Sequence, residues 1–255
     1  MHPAEYQIMY SVEDSFWWYQ VLRGEIVRRV RREVSRQPAP QLLDAGCGTG
    51  GMLAALRAAN IPGLTLHGVD LSPHGLEWSR QRGFAQVQQA SVCSLPHGGA
   101  QFDVVVSLDV LSAAGVDLPS AVFEMHRVLK PGGLLLVNLP AFRSLAGEHD
   151  AAVMVERRFS RKELPTLFPA TAWTQESAGY WNQLLFPAIW FSRWRSRQAL
   201  QRKAPASQDL RSDLKPLPHW LNSALTTLGR MEFRLLQPWS PLPGSSLLAS
   251  LRKIG

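Results

Sequence analysis

The residues best suited to chemistry lie between Asp44 and Gly50 and at Asp70-Leu71. Asp44 closes a short apolar run, Gln41-Leu42-Leu43, and Gly46-Cys47-Gly48-Thr49-Gly50-Gly51 follows it. Glycines at 46, 48 and 50 put no Cβ between the backbone and a bound group, and they permit a tight strand-to-helix turn. Asp70 ends a second apolar run, Leu64 to Val69. An acid at that place can accept both hydroxyls of a ribose laid across the strand ends. A P-loop is excluded, because no Gly-Lys-Ser/Thr follows the glycines. The dinucleotide fingerprint wants its last glycine three residues after the second, whereas Gly46, Gly48 and Gly50 are evenly spaced. Asp44 would also oppose a pyrophosphate, since both are anionic. The set suits a nucleoside that carries an ammonium and no phosphate, which describes S-adenosylmethionine.

The ordered stretches DAGCGTGG, GVDLS, FDVVVSLDVL and VLKPGGLLLVNLP resemble the motifs of class I S-adenosylmethionine-dependent methyltransferases. The resemblance implies that Asp44 and the turn Gly46, Cys47, Gly48, Thr49 and Gly50 hold the methionine portion. It implies Asp70 and Leu71 for the ribose, Ser91 and Val92 for the adenine, Leu108 beside them, and no metal. Relatives usually carry an acid where this chain has Ser91, so adenine recognition would lean on a hydroxyl, the Val92 backbone and stacking. Leu111-Ser112-Ala113-Ala114 stands where many relatives continue with a Glu-His pair.

Tyr6, Tyr10, Phe16, Trp17, Trp18 and Tyr19 precede the first strand, a density no core has yet begun to need. Glu13 to Gln20 resembles the amino-terminal lid of one bacterial, type 11-like branch, in which a Glu-Asp pair precedes a double-tryptophan cluster. That branch usually has histidine in place of Phe16. The resemblance puts Tyr10, Trp17, Trp18 and Arg23 on the lid and substrate side, with Trp17 and Trp18 either anchoring the lid or touching ligand. The same branch has a His-Asp pair where this chain has His149-Asp150. Loops after strand ends line the crevice of an open α/β sheet. An imidazole beside a carboxylate can take the proton of an attacking hydroxyl or amine. The other reading is that His149 orders the loop, with Asp150 as its partner.

Periodicity supplies the elements around these residues. A helix is expected over 24–36, with Ile26, Val27, Val30 and Val34 inward and its arginines solvated. Strands are expected over 41–43, 64–69, 85–90, 102–108, 134–139, 174–179 and 246–252. Helices are expected over 73–82, capped by Ser72 and Pro73, and over 119–130. Ser160 and Glu163 form a capping box for a helix to Phe168. The expected fold is a Rossmann-like α/β sheet of seven strands with helices on both faces, an aromatic amino-terminal lid and a helical insertion between strands 6 and 7. One domain would span 1–255: lid and helix at 1–37, cofactor-binding core at 41–140, and a substrate-side half at 141–255 capped by 181–240.

At 255 residues and 45% apolar composition, the chain can bury one sizeable core with appendages. Two cysteines do not make a disulfide framework, no signal-peptide pattern opens the chain, and no run of eighteen apolar residues occurs. A cytoplasmic protein is expected. The net charge of +7 is uneven: residues 151–255 carry 15 basic and 6 acidic residues. Tyr180 to Ser192 is apolar nearly all round and runs into Arg193-Trp194-Arg195-Ser196-Arg197. Residues 181–197 therefore read either as an interfacial helix touching a membrane or as a lid over substrate. A second helix over 219–231 would carry Trp220, Leu221, Leu225 and Leu228 on one face. Nucleic acid is disfavoured, because the aromatics lie ahead of the cations and not among them. The oligomeric state is not legible. The expected activity is methylation, favouring oxygen, of a small hydrophobic, lipid-linked or specialised-metabolite acceptor. The alternative is a methyltransferase-like binding or scaffold protein with weak or no catalysis.

Overall fold

The computed structural model describes residues 3–147, 150, 153–201, 217–236, 240 and 242–255. Its frame is a sheet of β1 (Gln41–Ala45), β2 (Thr65–Asp70), β3 (Val87–Gln89), β4 (Phe102–Leu108), β5 (Leu129–Pro140), β6 (Trp173–Trp181) and β7 (Ser246–Lys253). The order is β3-β2-β1-β4-β5-β7-β6, with β1 to β5 paired in parallel and β7 antiparallel to both neighbours. The chain winds outward from β1 to β3, then returns to place β4 on the other side of β1. That reversal opens a crevice beyond the strands' carboxyl ends.

The central strands are buried on both faces, which is why they read as continuous apolar runs. Leu43, Val105, Leu135 and Val137 pack on one side, and Leu42, Val104, Val106, Leu134 and Leu136 on the other. The helices are α1 (Pro3–Val12), α2 (Trp17–Val34), α3 (Gly51–Ala58), α4 (Pro73–Gln81), α5 (Leu118–Val128), α6 (Leu164–Leu167), α7 (Phe186–Gln201) and α8 (His219–Leu235). The expected seven-stranded α/β fold with its insertion is present, Ser72 caps its helix as expected, and the Ser160–Glu163 box caps a 3₁₀ turn, Arg161–Glu163, that runs into α6.

Three local expectations are corrected. The helix expected from Gly24 begins at Trp17, because a distant residue supplies its cap: the Trp17 amide donates to Asn222 Oδ1 at 2.8 Å. Trp181, read as the start of an interfacial stretch, is instead the last residue of β6 and 1% exposed. It lies against Trp18 and Phe233, with ring centroids 5.3 and 5.2 Å away. The expected apolar face of α8 is split by the helix's rotation: Leu221, Leu225 and Leu228 are half-buried, with Leu225 packed on the core. Trp220 is 72% exposed, whereas Thr226, Gly229, Glu232 and Phe233 are buried. Glu232 sets that rotation by accepting from the Gln183 and Leu184 amides at 2.9 to 3.1 Å, and Gly229 lets α8 close on Val21 of α2.

Candidate active site

A cavity of about 750 Å³ occupies the crevice, within the range that encloses a nucleotide-sized ligand. Its floor is the turn after β1. Gly46, Gly48 and Gly50 all have positive φ, and the Gly46 and Cys47 amides donate to Val69 O at 2.8 Å each. Val110 fills the space a Cβ on Gly46 would need. The turn delivers the backbone directly to the cavity at Gly46, Cys47 and Gly48.

Asp70 ties that turn to the neighbouring strand. Its Oδ2 accepts from the Gly48 amide and its Oδ1 from the Ser72 amide, both at 2.8 Å. Burial raises its pKa, and the two amides oppose the rise. Asp70 lines the cavity with each oxygen already holding one backbone donor. Asp44 is more exposed to the cost of burial. It is 2% accessible, its Oδ2 has no protein partner, and burial followed by the Asp70 charge pushes its carboxyl up to about 7. An unsatisfied buried acceptor destabilises a fold unless a ligand donor reaches it. Lining the cavity, it fits an ammonium, which would both donate a hydrogen bond and neutralise the charge. The residues present therefore fit S-adenosylmethionine.

The remaining cofactor-side expectations divide. Leu71, Ser91, Val92 and Leu108 line the cavity, although Ser91 Oγ already accepts from the Cys93 amide at 3.1 Å. Thr49 and Gly50 do not line it. The turn points them away: the Thr49 hydroxyl donates to Glu13, and Gly50 abuts Ser79.

The lid covers this floor. Tyr6, Met9 and Glu13 recur at helical spacing and line the cavity with Phe16, Trp17, Trp18, Tyr19 and Arg23. Burial, followed by the Asp70 charge, pushes the Tyr6 hydroxyl up to about 12, so this lid tyrosine and Asp70 are electrostatic neighbours. Tyr10 is corrected. It lies on the neighbouring stripe of α1, stacks on Trp78 at 4.3 Å, has Arg82 4.5 Å above its ring, and does not reach the cavity. Trp17 and Trp18 both line the cavity and pack on the core. The Glu13-Asp14 pair is the latch. Buried Glu13 accepts from Arg23, from Thr49 and from Arg82 at 2.9 Å, while Asp14 takes a second Arg82 nitrogen at 2.8 Å.

On the acceptor side, His149 lies outside the described residues. Asp150 is buried and gives both oxygens to Arg158, at 2.7 Å each, and Arg158 also donates to Ala141 O at 2.9 Å. The carboxylate expected to serve His149 is thus engaged by a guanidinium that holds the strap after β5.

Residues 43–137 match the family model of a methyltransferase domain. A malonyl-[acyl-carrier protein] O-methyltransferase of Serratia marcescens is 31% identical over 165 residues, covering 64% of this chain and 62% of that protein. A demethylmenaquinone methyltransferase of Chlorobaculum parvum is 32% identical over 139 residues, half of each chain. Among solved structures, geranyl diphosphate C-methyltransferase of Streptomyces coelicolor, in complex with S-adenosyl-L-homocysteine, superposes with a TM-score of 0.56. It is 16% identical over 91% of this chain and 76% of its own, so it speaks for the fold alone. Residues 43–137 thus carry the sequence of a methyltransferase domain, on the fold that such a solved structure shares. The chain spans 62% and 50% of the lengths of these two curated relatives.

Within that family frame, one residue the sequence reading passed over lines the cavity. Asp109 follows β4 with φ 60° and both oxygens face Asn138 Nδ2 at 2.9 and 3.1 Å. Asn138 cannot turn, because its Oδ1 accepts from Trp181 Nε1 at 2.8 Å. Burial pushes Asp109 up to about 7, with Asn138 opposing. A left-handed backbone at a non-glycine residue costs on the order of 1 kcal/mol and is over-represented at functional sites. The signal for it was the acid directly after an apolar strand in FDVVVSLDVL, the same signature that singled out Asp44 and Asp70.

Proposed function

We propose that this protein transfers the methyl group of S-adenosylmethionine to the oxygen of a small, largely apolar acceptor. The observation that carries the reading is the buried, unpartnered Asp44 carboxylate, set in the same cavity that the aromatic lid covers. When bound, the cofactor supplies an electrophilic methyl on a positively charged sulfur. Asp44 would receive its ammonium, the Gly46 to Gly48 backbone its carboxylate end, Asp70 its ribose, and Ser91 and Val92 its adenine. Holding acceptor and methyl in line accounts for much of the rate gain in such a transfer. Phe16, Trp17, Trp18 and Tyr19 would exclude water while charge disappears. As the acceptor oxygen bonds the methyl carbon, the carbon–sulfur bond breaks with its electrons kept on sulfur, and the acceptor's proton must leave.

Two residues are candidates to take that proton. Asp109 stands in the cavity wall with a carboxyl near neutrality, suited to a general base. His149 adjoins Asp150 in sequence and would serve from the strap. The apolar lining by Val153, Met154, Val155 and Ile189 supports a hydrophobic acceptor. Calorimetry with S-adenosyl-L-homocysteine tests the cofactor half, and absence of both heat and thermal shift would end the proposal. Methyl-labelled S-adenosylmethionine, offered with a panel of lipophilic alcohols, phenols, carboxylic acids and amines, tests the acceptor half. Binding heat with no labelled product from any class would instead support a methyltransferase-like binding protein. A larger yield from amines than from oxygen acceptors would move the assignment to nitrogen.

A further inference from the structure

α7 touches the rest of the protein along a narrow stripe. Ile189 and Arg193, one turn apart, line the cavity. Around the remainder of the described helix, Trp190 is 44%, Phe191 51% and Trp194 46% exposed. Phe191 and Trp194 stack on each other with centroids 5.8 Å apart, and the Arg195 guanidinium lies 6.0 Å from the Phe191 ring. Three large aromatics on one short helix are far more than isolated exposed apolar residues, which need no explanation.

The charge pattern identifies what covers them. Residues 177–208 contain five basic residues and no acidic one. A polar protein partner would find little to bond among indole and phenyl rings, and a nucleic acid would need the cations to flank each ring. An anionic lipid surface satisfies both features: aromatic rings settle at the headgroup boundary while arginines meet the phosphates. We infer that the outer face of α7, through Trp190, Phe191, Trp194 and Arg195, docks the protein on an anionic membrane, with the cavity wall formed by the same helix turned inward. The docking rests on the exposed face and its charge, and is independent of the methyl-transfer reading. Where both hold, an apolar acceptor would be taken directly from the bilayer.

Flotation of the full chain with phosphatidylcholine vesicles, with and without phosphatidylserine, tests this. The protein is expected to float with the mixed vesicles and not with phosphatidylcholine alone. Each arginine near an anionic surface contributes about fivefold, so the preference should be tenfold or more and should fade as salt is raised. The triple change Trp190→Ala, Phe191→Ala, Trp194→Ala should abolish flotation while leaving the circular dichroism spectrum and melting midpoint close to wild type, because none of the three side chains belongs to the buried core. As a second variant, Arg195→Glu should weaken flotation without touching the aromatics. Flotation of the triple variant equal to wild type would overturn the inference, as would a wild type that ignores mixed vesicles. A self-associating wild type made monomeric by the triple change, seen by sedimentation without lipid, would assign the face to a second copy of the chain and equally overturn it.

Discussion

Replacing Asp44 by Asn should stabilise the ligand-free protein at alkaline pH while removing the partner of the cofactor's ammonium. In the folded chain Asp44 is pushed up to about 7, chiefly by burial and then by Asp70. An unfolded chain would hold the same carboxyl near ~3.9. Between those values the folded state carries the extra proton, so this group's contribution makes stability fall as pH rises through the window. Above it the cost is complete: about three pKa units at ~1.4 kcal/mol each, on the order of 4 kcal/mol. Asn has no charge to desolvate, but it leaves an amide in the same unpartnered space, costing about 1–2 kcal/mol. The variant should therefore be more stable by about 2–3 kcal/mol near pH 8, and no more stable than wild type near pH 4, where both side chains are neutral. Asp109 titrates in the same window in both proteins, so the difference between them isolates Asp44. Urea unfolding across this pH range gives the comparison directly. Adding S-adenosyl-L-homocysteine at a hundredfold its Kd should stabilise wild type by about 2.7 kcal/mol and the variant far less. A variant less stable than wild type near pH 8 without ligand would refute the reasoning, as would a stability gap that does not change with pH.

Asp109→Asn should leave S-adenosyl-L-homocysteine affinity within about twofold and lower turnover by 10²-fold or more, removing the acid limb of the rate profile near neutrality. If His149→Ala removes that limb and Asp109→Asn does not, the base is His149. Gly46→Ala must place a methyl group where Val110 sits, on a residue with φ 99°, so calorimetry should show cofactor affinity reduced more than tenfold and unfolding should show a loss of about 1–3 kcal/mol. Arg158→Ala leaves the buried Asp150 charge without its bidentate partner and should cost about 3–5 kcal/mol in urea unfolding. The Asp150→Ala, Arg158→Ala double variant should recover part of that loss, since no lone charge then remains.

Much of this protein was legible along the chain because the signals are local. A buried parallel strand needs an unbroken apolar run, a ligand-bearing turn needs glycine where φ is positive, and a helix start favours Ser72-Pro73 or Ser160 with Glu163. Those requirements located the core strands, the Gly46 to Gly50 turn, Asp44 and Asp70 without any knowledge of what they touch. Side-chain direction and long-range partnership required the tertiary structure. Tyr6 and Tyr10 are alike in sequence, yet one lines the cavity and the other stacks on Trp78, because α1 presents a single stripe to the cavity. Trp181 carried the composition of a membrane-facing residue, and pairing of β6 with β7 put it in the core. That Asp150 is also gripped by Arg158, eight residues on, could not be read from the sequence. The sequence marked Asp109 as an acid after an apolar strand, but only the fold showed Asn138 and Trp181, far along the chain, holding it in the cavity wall. Backbone conformation is dictated within a few residues, whereas the environment of a carboxylate is set by whichever strands and helices the fold brings beside it.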